Sequence, residues 1–219
     1  MRLDRDGPGV AKGLLLTRLT QALKSAVRDA DAVLVSDYGL GVPESLQTQL
    51  TALARAVPLC ADARYGLRNY RGAALAKPNE VELEQAIGKR IGDDPRALES
   101  AARALLAELG AKVLLVTRGR SGMAVVQPDA PTVMLPAHGE HEAVDVTGAG
   151  DTVMAAMTLG LACKAEPLDA ARLANVAGAL VVQKPGTATV TAAELSAELQ
   201  HGEVSRGAGL NFAARGKRA

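Results

Sequence analysis

The sequence predicts an α/β fold, a mostly parallel sheet with helices on both faces. Stretches with apolar residues at helical spacing alternate with apolar runs of strand length, the connections between them are short, and 48% of the 219 residues are hydrophobic, enough for one sizeable core. In such a sheet, ligands bind at the C-terminal ends of the strands.

Gly13 to Ala30 places Leu15, Leu19, Leu23 and Val27 at helical spacing, and Asp31 to Ser36 reads as a short buried strand. Val42 to Ala56 reads as a helix with Leu46, Leu50 and Leu53 on one side, Pro58 to Ala61 as a strand, and Arg64 to Arg71 as a loop. Asn79 opens a short helix ending near Gly88; Asp94 and Pro95 open another, which stops at Gly110. Lys112 to Thr117 is a buried strand, and Gly122 to Gln127 with Thr132 to Leu135 forms a ribbon turned by Pro128 to Pro131. Asp145 to Asp151 lies between a strand and a helix that runs from Thr152 to Ala162; helices follow at Leu168 to Lys184 and Ala192 to Leu199. One domain is assigned to residues 1–201, and the basic segment 202–219 to a flexible tail.

Composition narrows the function. With 25 basic and 24 acidic side chains, net charge gives no support to a nucleic-acid or membrane-surface role. Aromatic residues are too scarce for base-stacking platforms, and no apolar run is long enough to span a bilayer. The two cysteines, Cys60 and Cys163, form no CxxC pair and fall in apolar segments, so both are expected to be buried packing residues in a reduced, cytoplasmic protein. No apolar signal-peptide core follows the charged start Met1 to Asp6. His138-Gly139-Glu140-His141-Glu142 is read as a solvated loop rather than a metal cluster, because ligand spacing on an ordered element is lacking.

The chemistry concentrates in Asp145-Val146-Thr147-Gly148-Ala149-Gly150-Asp151-Thr152. Gly148 and Gly150 permit a tight turn that offers backbone N–H groups at a helix N-terminus, a natural anion site. Asp151 there is either a first-turn acid or a general base taking a proton from an attacking hydroxyl; the whole run favours the base. No Gly-x4-Gly-Lys-Ser/Thr loop and no Gly-x-Gly-x-x-Gly after a strand compete with this reading.

The run resembles the C-terminal signature of the ribokinase (PfkB) carbohydrate-kinase family, which implies a ribokinase-like fold, ATP as phosphoryl donor, Asp151 as catalytic base, and an anion hole from the amides of Gly148, Ala149 and Gly150. Asn79-Glu80-Val81-Glu82 is similar to the family's Asn-x-x-Glu motif, which organises Mg²⁺, water and ATP phosphates; Asn79 and Glu82 also suit a helix capping box. Thr117, Gly119 and Gly122 match a segment bordering the nucleotide, and Asn175 a position beside the adenine. Asp145 and Thr147 match residues that bind a monovalent cation, potassium, in some relatives.

Three further segments resemble the branch of this family that phosphorylates the anomeric hydroxyl of D-glycero-β-D-manno-heptose 7-phosphate on the way to ADP-heptose and the lipopolysaccharide core. They are Val35 to Val42, Asn69 to Ala73 and Lys184 to Thr191. Asp37 and Tyr38 would face the substrate, although Asp37 suits a simple turn equally well. Leu40 and Asp62-Ala63-Arg64 depart from the branch, which usually has Lys and Asp-Pro-Lys there. The resemblance runs from about Leu14 to Leu199 and covers only the later two-thirds of the family domain, so the reading expects a domain truncated at the N-terminus, with one sheet edge lacking strands; a homodimer could cover it. Two alternatives stand beside the heptose reading: another sugar or nucleoside kinase of this family, or a non-catalytic, nucleotide-binding remnant.

Overall fold

The computed structural model describes residues 9–139 and 143–206. One six-stranded sheet runs through it in the order β1 (Val33–Asp37), β2 (Leu59–Ala63), β3 (Leu75–Ala76), β4 (Val113–Thr117), β5 (Met123–Val126), β6 (Val133–Leu135). The first four strands are parallel; β5 and β6 add an antiparallel ribbon at one side, and β1 is the edge at the other.

Helices cover both faces. Because strand side chains alternate, Leu114, Val116, Ala61 and Ala76 pack on one face beneath α1 (Gly13–Ala26), α3 (Gln47–Leu53), α4 (Glu80–Ile87) and α5 (Pro95–Leu109). Cys60, Leu75, Val113 and Leu115 face the other way, against α6 (Ala149–Ala162) and α7 (Pro167–Val181). This is the three-layer arrangement expected of a mostly parallel sheet.

The local signals for α4 and α5 match their ends. Asn79 accepts from the Glu82 N–H while Glu82 accepts from the Asn79 N–H, each at 2.8 Å, and Gly88 ends α4 in the left-handed region. Asp94 caps α5 through the Arg96 N–H, and Gly110 terminates it.

Elsewhere the structure corrects the sequence reading. The stretch from Val42 is two helices, α2 (Val42–Ser45) and α3, because Leu46 leaves helical geometry and is buried. In α1 the packed stripe is Leu16, Leu19 and Leu23, while Leu15 is half exposed and Val27 caps the end. β1 is not wholly buried: as an edge strand it exposes Leu34 and Ser36 on one face and buries Val35 and Asp37 on the other. β3 went unread because two residues show no period. Among the described residues no strand directly precedes Asp145, and α6 starts at Ala149 rather than Thr152. Cys60 is buried as expected, but Cys163 caps the end of α6 and is exposed. The last helix, α8 (Ala192–Arg206), outruns its expected end at Leu199; residues 207–219 of the expected tail lie outside the described residues. His138 bonds Glu198 on α8 at 2.8 Å, and residues 140–142 of that loop lie outside the described residues.

α6 and α7 meet through small residues. A Cβ on Gly160 would lie 2.7 Å from the Ala170 Cβ, so glycine sets the closeness of this pair. Gly160→Ala is therefore expected to cost about 1–3 kcal/mol through overpacking, read as a lower urea midpoint with the helical signal retained before the transition.

Candidate active site

The parallel register lines up a row of polar side chains. Ser36 lies opposite Asp62 in the β1–β2 pairing, and the β2–β3 pairing sets Cys60 beside Leu75 and Ala61 beside Ala76, so the next step brings Asp62 to Lys77. Alternation puts Ser36, Asp62 and Lys77 on the α6 face, at the C-terminal ends of three adjacent strands. The N-terminal turn of α6 lies over this row. Together with Tyr38, Arg64, Asn79, Glu82, Gly150 and Asp151 these residues line an open cleft of about 280 Å³.

Asp151 is the third residue of α6, which starts from Gly148 in the left-handed conformation (φ 78°) with no side-chain cap. The Tyr38 hydroxyl donates to Asp151, 3.1 Å from each carboxylate oxygen, and the Ser36 hydroxyl stands 3.4 Å away. Burial, with the Asp151 charge adding to it, raises the Tyr38 pKa above its ordinary value, so the phenol keeps its proton. Of the three expected anion-hole positions, the Ala149 N–H turns back to the Val146 carbonyl at 3.2 Å, and Gly148 is the N-cap residue. Gly150 borders the cleft itself, and a Cβ there would stand 3.5 Å from the Lys77 ammonium. Helix terminus and lysine thus bring positive potential to one spot, suited to an anion.

Lys77 is buried and ion-paired to Asp62 at 3.0 Å. Burial raises the Asp62 pKa, and the Lys77 charge only partly offsets this. Neither residue was singled out from the sequence as a site residue, nor were Ser36 and Arg64. Lys77 lies two residues before Asn79 and Asp62 just past the expected strand Pro58 to Ala61, but only the strand register joins them.

The remaining candidate residues sort by geometry. Asn79 and Glu82 form the expected α4 capping box and also line the cleft. Glu80 points to Arg118, 2.7 Å away, and Val81 is exposed outside the cleft. Thr117 joins the loop before α4 through its N–H to the Pro78 carbonyl, and Gly119 and Gly122 shape the turn that follows, apart from this cleft. A Cβ on Gly122 would collide with the Leu135 carbonyl, so the turn requires glycine. Asn175 on α7 donates to the Pro136 carbonyl at 2.7 Å. Asp37 borders the cleft, but its carboxylate belongs to the opposite sheet face, where it accepts from the Tyr70 hydroxyl at 2.6 Å and the Gly39 N–H at 2.8 Å.

Asp145 and Thr147 shape the approach to α6. The Asp145 carboxylate accepts from the N–H groups of Thr147 and Gly186, which hold its pKa below the usual range. The Gly186 loop is itself braced by Lys184, which reaches both the Thr189 carbonyl and Glu194. Among the described residues no group of three His, Cys, Asp or Glu side chains could hold a metal by itself.

Residues 15–194 match the family described as pfkB family carbohydrate kinase. The bifunctional protein HldE of Caulobacter sp. (strain K31) is 43% identical over 208 residues, which cover 93% of this chain and 41% of that protein; its namesake from Halorhodospira halophila is 41% identical over 206 residues, covering 92% and 42%. The chain thus spans about two fifths of these relatives. Among solved structures, phosphofructokinase-2 from Escherichia coli in complex with potassium superposes with a TM-score of 0.75 at 20% identity, covering 88% of this chain and 63% of that one. Arabidopsis thaliana ribokinase, complexed with ribose and ATP, gives 0.70 at 23% identity, with coverages of 88% and 61%. Both share the fold seen here.

Two outcomes are expected from this geometry. Lys77→Met strands a partly buried carboxylate and should destabilise the fold by about 3 kcal/mol, with most of the loss recovered by adding Asp62→Asn, both read by urea unfolding. Glu194, held at a pKa of about 2 by Lys184 and the Thr191 N–H, is depressed by folding, so its bracing is complete above its unfolded value near pH 4.5 and lost as pH falls through about 2; the protection of the Thr191 and Glu194 amides, measured against their intrinsic exchange rates at each pH, should fall over that window, and less so in Glu194→Gln. With its sequence signature, its sheet and its helix-start carboxylate in agreement, the chain belongs to the pfkB family of carbohydrate kinases.

Proposed function

We propose that this chain carries the phosphoryl-transfer site of an ATP-dependent kinase for a sugar phosphate, the acceptor being the anomeric hydroxyl of D-glycero-β-D-manno-heptose 7-phosphate. The observation that carries the reading is Asp151: a carboxylate at a helix N-terminus, in an open cleft at the strand ends, already accepting a hydroxyl proton donor at 3.1 Å. That is the distance a general base needs. Family membership supports the kinase class, and the likeness to HldE proteins together with the segments Val35 to Val42, Asn69 to Ala73 and Lys184 to Thr191 supports the heptose acceptor.

In this mechanism Asp151 takes the proton as the acceptor oxygen attacks the γ-phosphorus and ADP departs with the electron pair of the broken bond. The free amides at the start of α6, around Gly150, stabilise the charge on the transferring group. Lys77, held straight by Asp62, adds a fixed positive charge beside Gly150. Tyr38 borders the acceptor side, and Asp37 supports the strand end from behind through Tyr70.

The charge balance of the cleft supports a divalent cation. Asp62, Glu82 and Asp151 face two cations, Arg64 and Lys77, an unfavourable setting for a polyphosphate alone. When bound, Mg²⁺ supplies that missing positive charge to the phosphates. Asn79 and Glu82 suit such an ion through water rather than as a closed cage, since Glu82 spends one oxygen on its cap and keeps the other. Asp145 and Thr147, on the loop before α6, are the residues this reading gives to a monovalent cation such as potassium. The nucleotide would extend toward Thr117, Gly119, Gly122 and Asn175. The reading places the protein in the cytoplasm, where ATP and sugar phosphates are found.

The test is ADP release with Mg-ATP and heptose 7-phosphate, beside a panel of ribose, fructose 6-phosphate and a nucleoside. Asp151→Asn should lower turnover by a factor of at least about 100 while ATP affinity changes less than about twofold. Turnover retained in that variant would overturn the base assignment, and a preference for another acceptor in the panel would replace the heptose.

A further inference from the structure

We propose that Tyr38 is a built-in stand-in for the acceptor hydroxyl: in the resting chain its phenol fills the proton-donor position on Asp151, and the acceptor must displace it. The inference rests on Asp151 being the base.

The first argument is position. A hydroxyl that will lose its proton to Asp151 has to lie within hydrogen-bond reach of the carboxylate. The Tyr38 oxygen is there already, equidistant from both carboxylate oxygens at 3.1 Å, while Ser36 stands further off at 3.4 Å. The single phenol hydrogen is shared between the two oxygens, so a hydroxyl entering between them meets an occupied position.

The second argument is freedom to leave. The backbone on either side of Tyr38 is fixed: buried Asp37 is held by Tyr70 and in turn holds the Gly39 N–H. Tyr38 is 53% exposed, so rotation about its own side-chain bonds carries the ring into solvent without moving the strand end. A rigidly mounted arm with a free tip can uncover the base and return to it.

The third argument is chemical. Water is a competing acceptor in any open phosphoryl-transfer site. If water reaches Asp151, its oxygen attacks the γ-phosphorus, the bond to the bridging oxygen breaks, its proton passes to Asp151, and ATP becomes ADP and phosphate. A phenol seated on the carboxylate keeps water from that place, and a sugar with several anchoring groups can displace it where a single water cannot.

Wild-type protein, Tyr38→Phe and Asp151→Asn are compared for ADP release with Mg-ATP, with and without heptose 7-phosphate. Phenylalanine keeps the ring and removes the competing hydroxyl. Tyr38→Phe is expected to lower the acceptor KM by about three- to tenfold, the equivalent of one net hydrogen bond, to keep kcat within about twofold, and to raise acceptor-free ADP release severalfold. A fall in kcat at unchanged KM would overturn the proposal and make Tyr38 an orienting group for the carboxylate; unchanged KM and unchanged acceptor-free release would overturn it as well. If Asp151→Asn matches wild type under all conditions, the base assignment itself falls, and the role of Tyr38 with it.

Discussion

The site depends on the parallel register of β1, β2 and β3. Their pairing puts Ser36, Asp62 and Lys77 side by side on one face, and one residue of slippage in any strand would send a member of the row to the opposite layer. The ion pair of buried Lys77 with partly buried Asp62 is both a product of that register and a lock on it, because an unmatched charge at either position would be expensive there. Everything else reaches toward the row: α6 from above with Asp151, and the α4 cap from the side with Asn79 and Glu82.

The division of labour between neighbouring residues follows from the pleat. Ser36 and Asp37 are adjacent in sequence yet serve different layers. Ser36 looks toward Asp151, whereas Asp37 is satisfied in the opposite layer by Tyr70 and the Gly39 N–H. Tyr38 is the first residue past the strand, where the alternation no longer governs side-chain direction, and it turns back over the cleft to Asp151. A strand end used in this way supplies a rigid mount and a movable tip within three residues.

Much of this was legible in the sequence because the strongest signals are local. Asn79 with Glu82, Asp94 with Pro95, and Gly88 and Gly110 announce helix ends within four residues of themselves, and the run from Asp145 to Thr152 announces a helix start with a carboxylate in its first turn. What escaped needed pairing information. Lys77 reads as the residue before a proline until β3 places it against Asp62, and β3 itself is too short to show a period. Cys163 looked like core because its neighbours are apolar, but it caps the end of α6, where the chain turns outward. Leu34 looked like core for the same reason, and is exposed because it lies on β1, the edge strand of the sheet.

The reciprocal cap at the start of α4 has a consequence for how such chains diverge. Asn79 and Glu82 satisfy each other's backbone N–H groups whether or not a nucleotide ever binds, so a descendant that had abandoned chemistry would still be under pressure to keep both. Asp151 has no comparable structural duty: its contacts are with Ser36 and Tyr38, on the surface of an open cleft. In a set of diverging copies, the Asn-x-x-Glu pair would therefore outlive the activity, and the carboxylate of α6 would be the first informative position to drift.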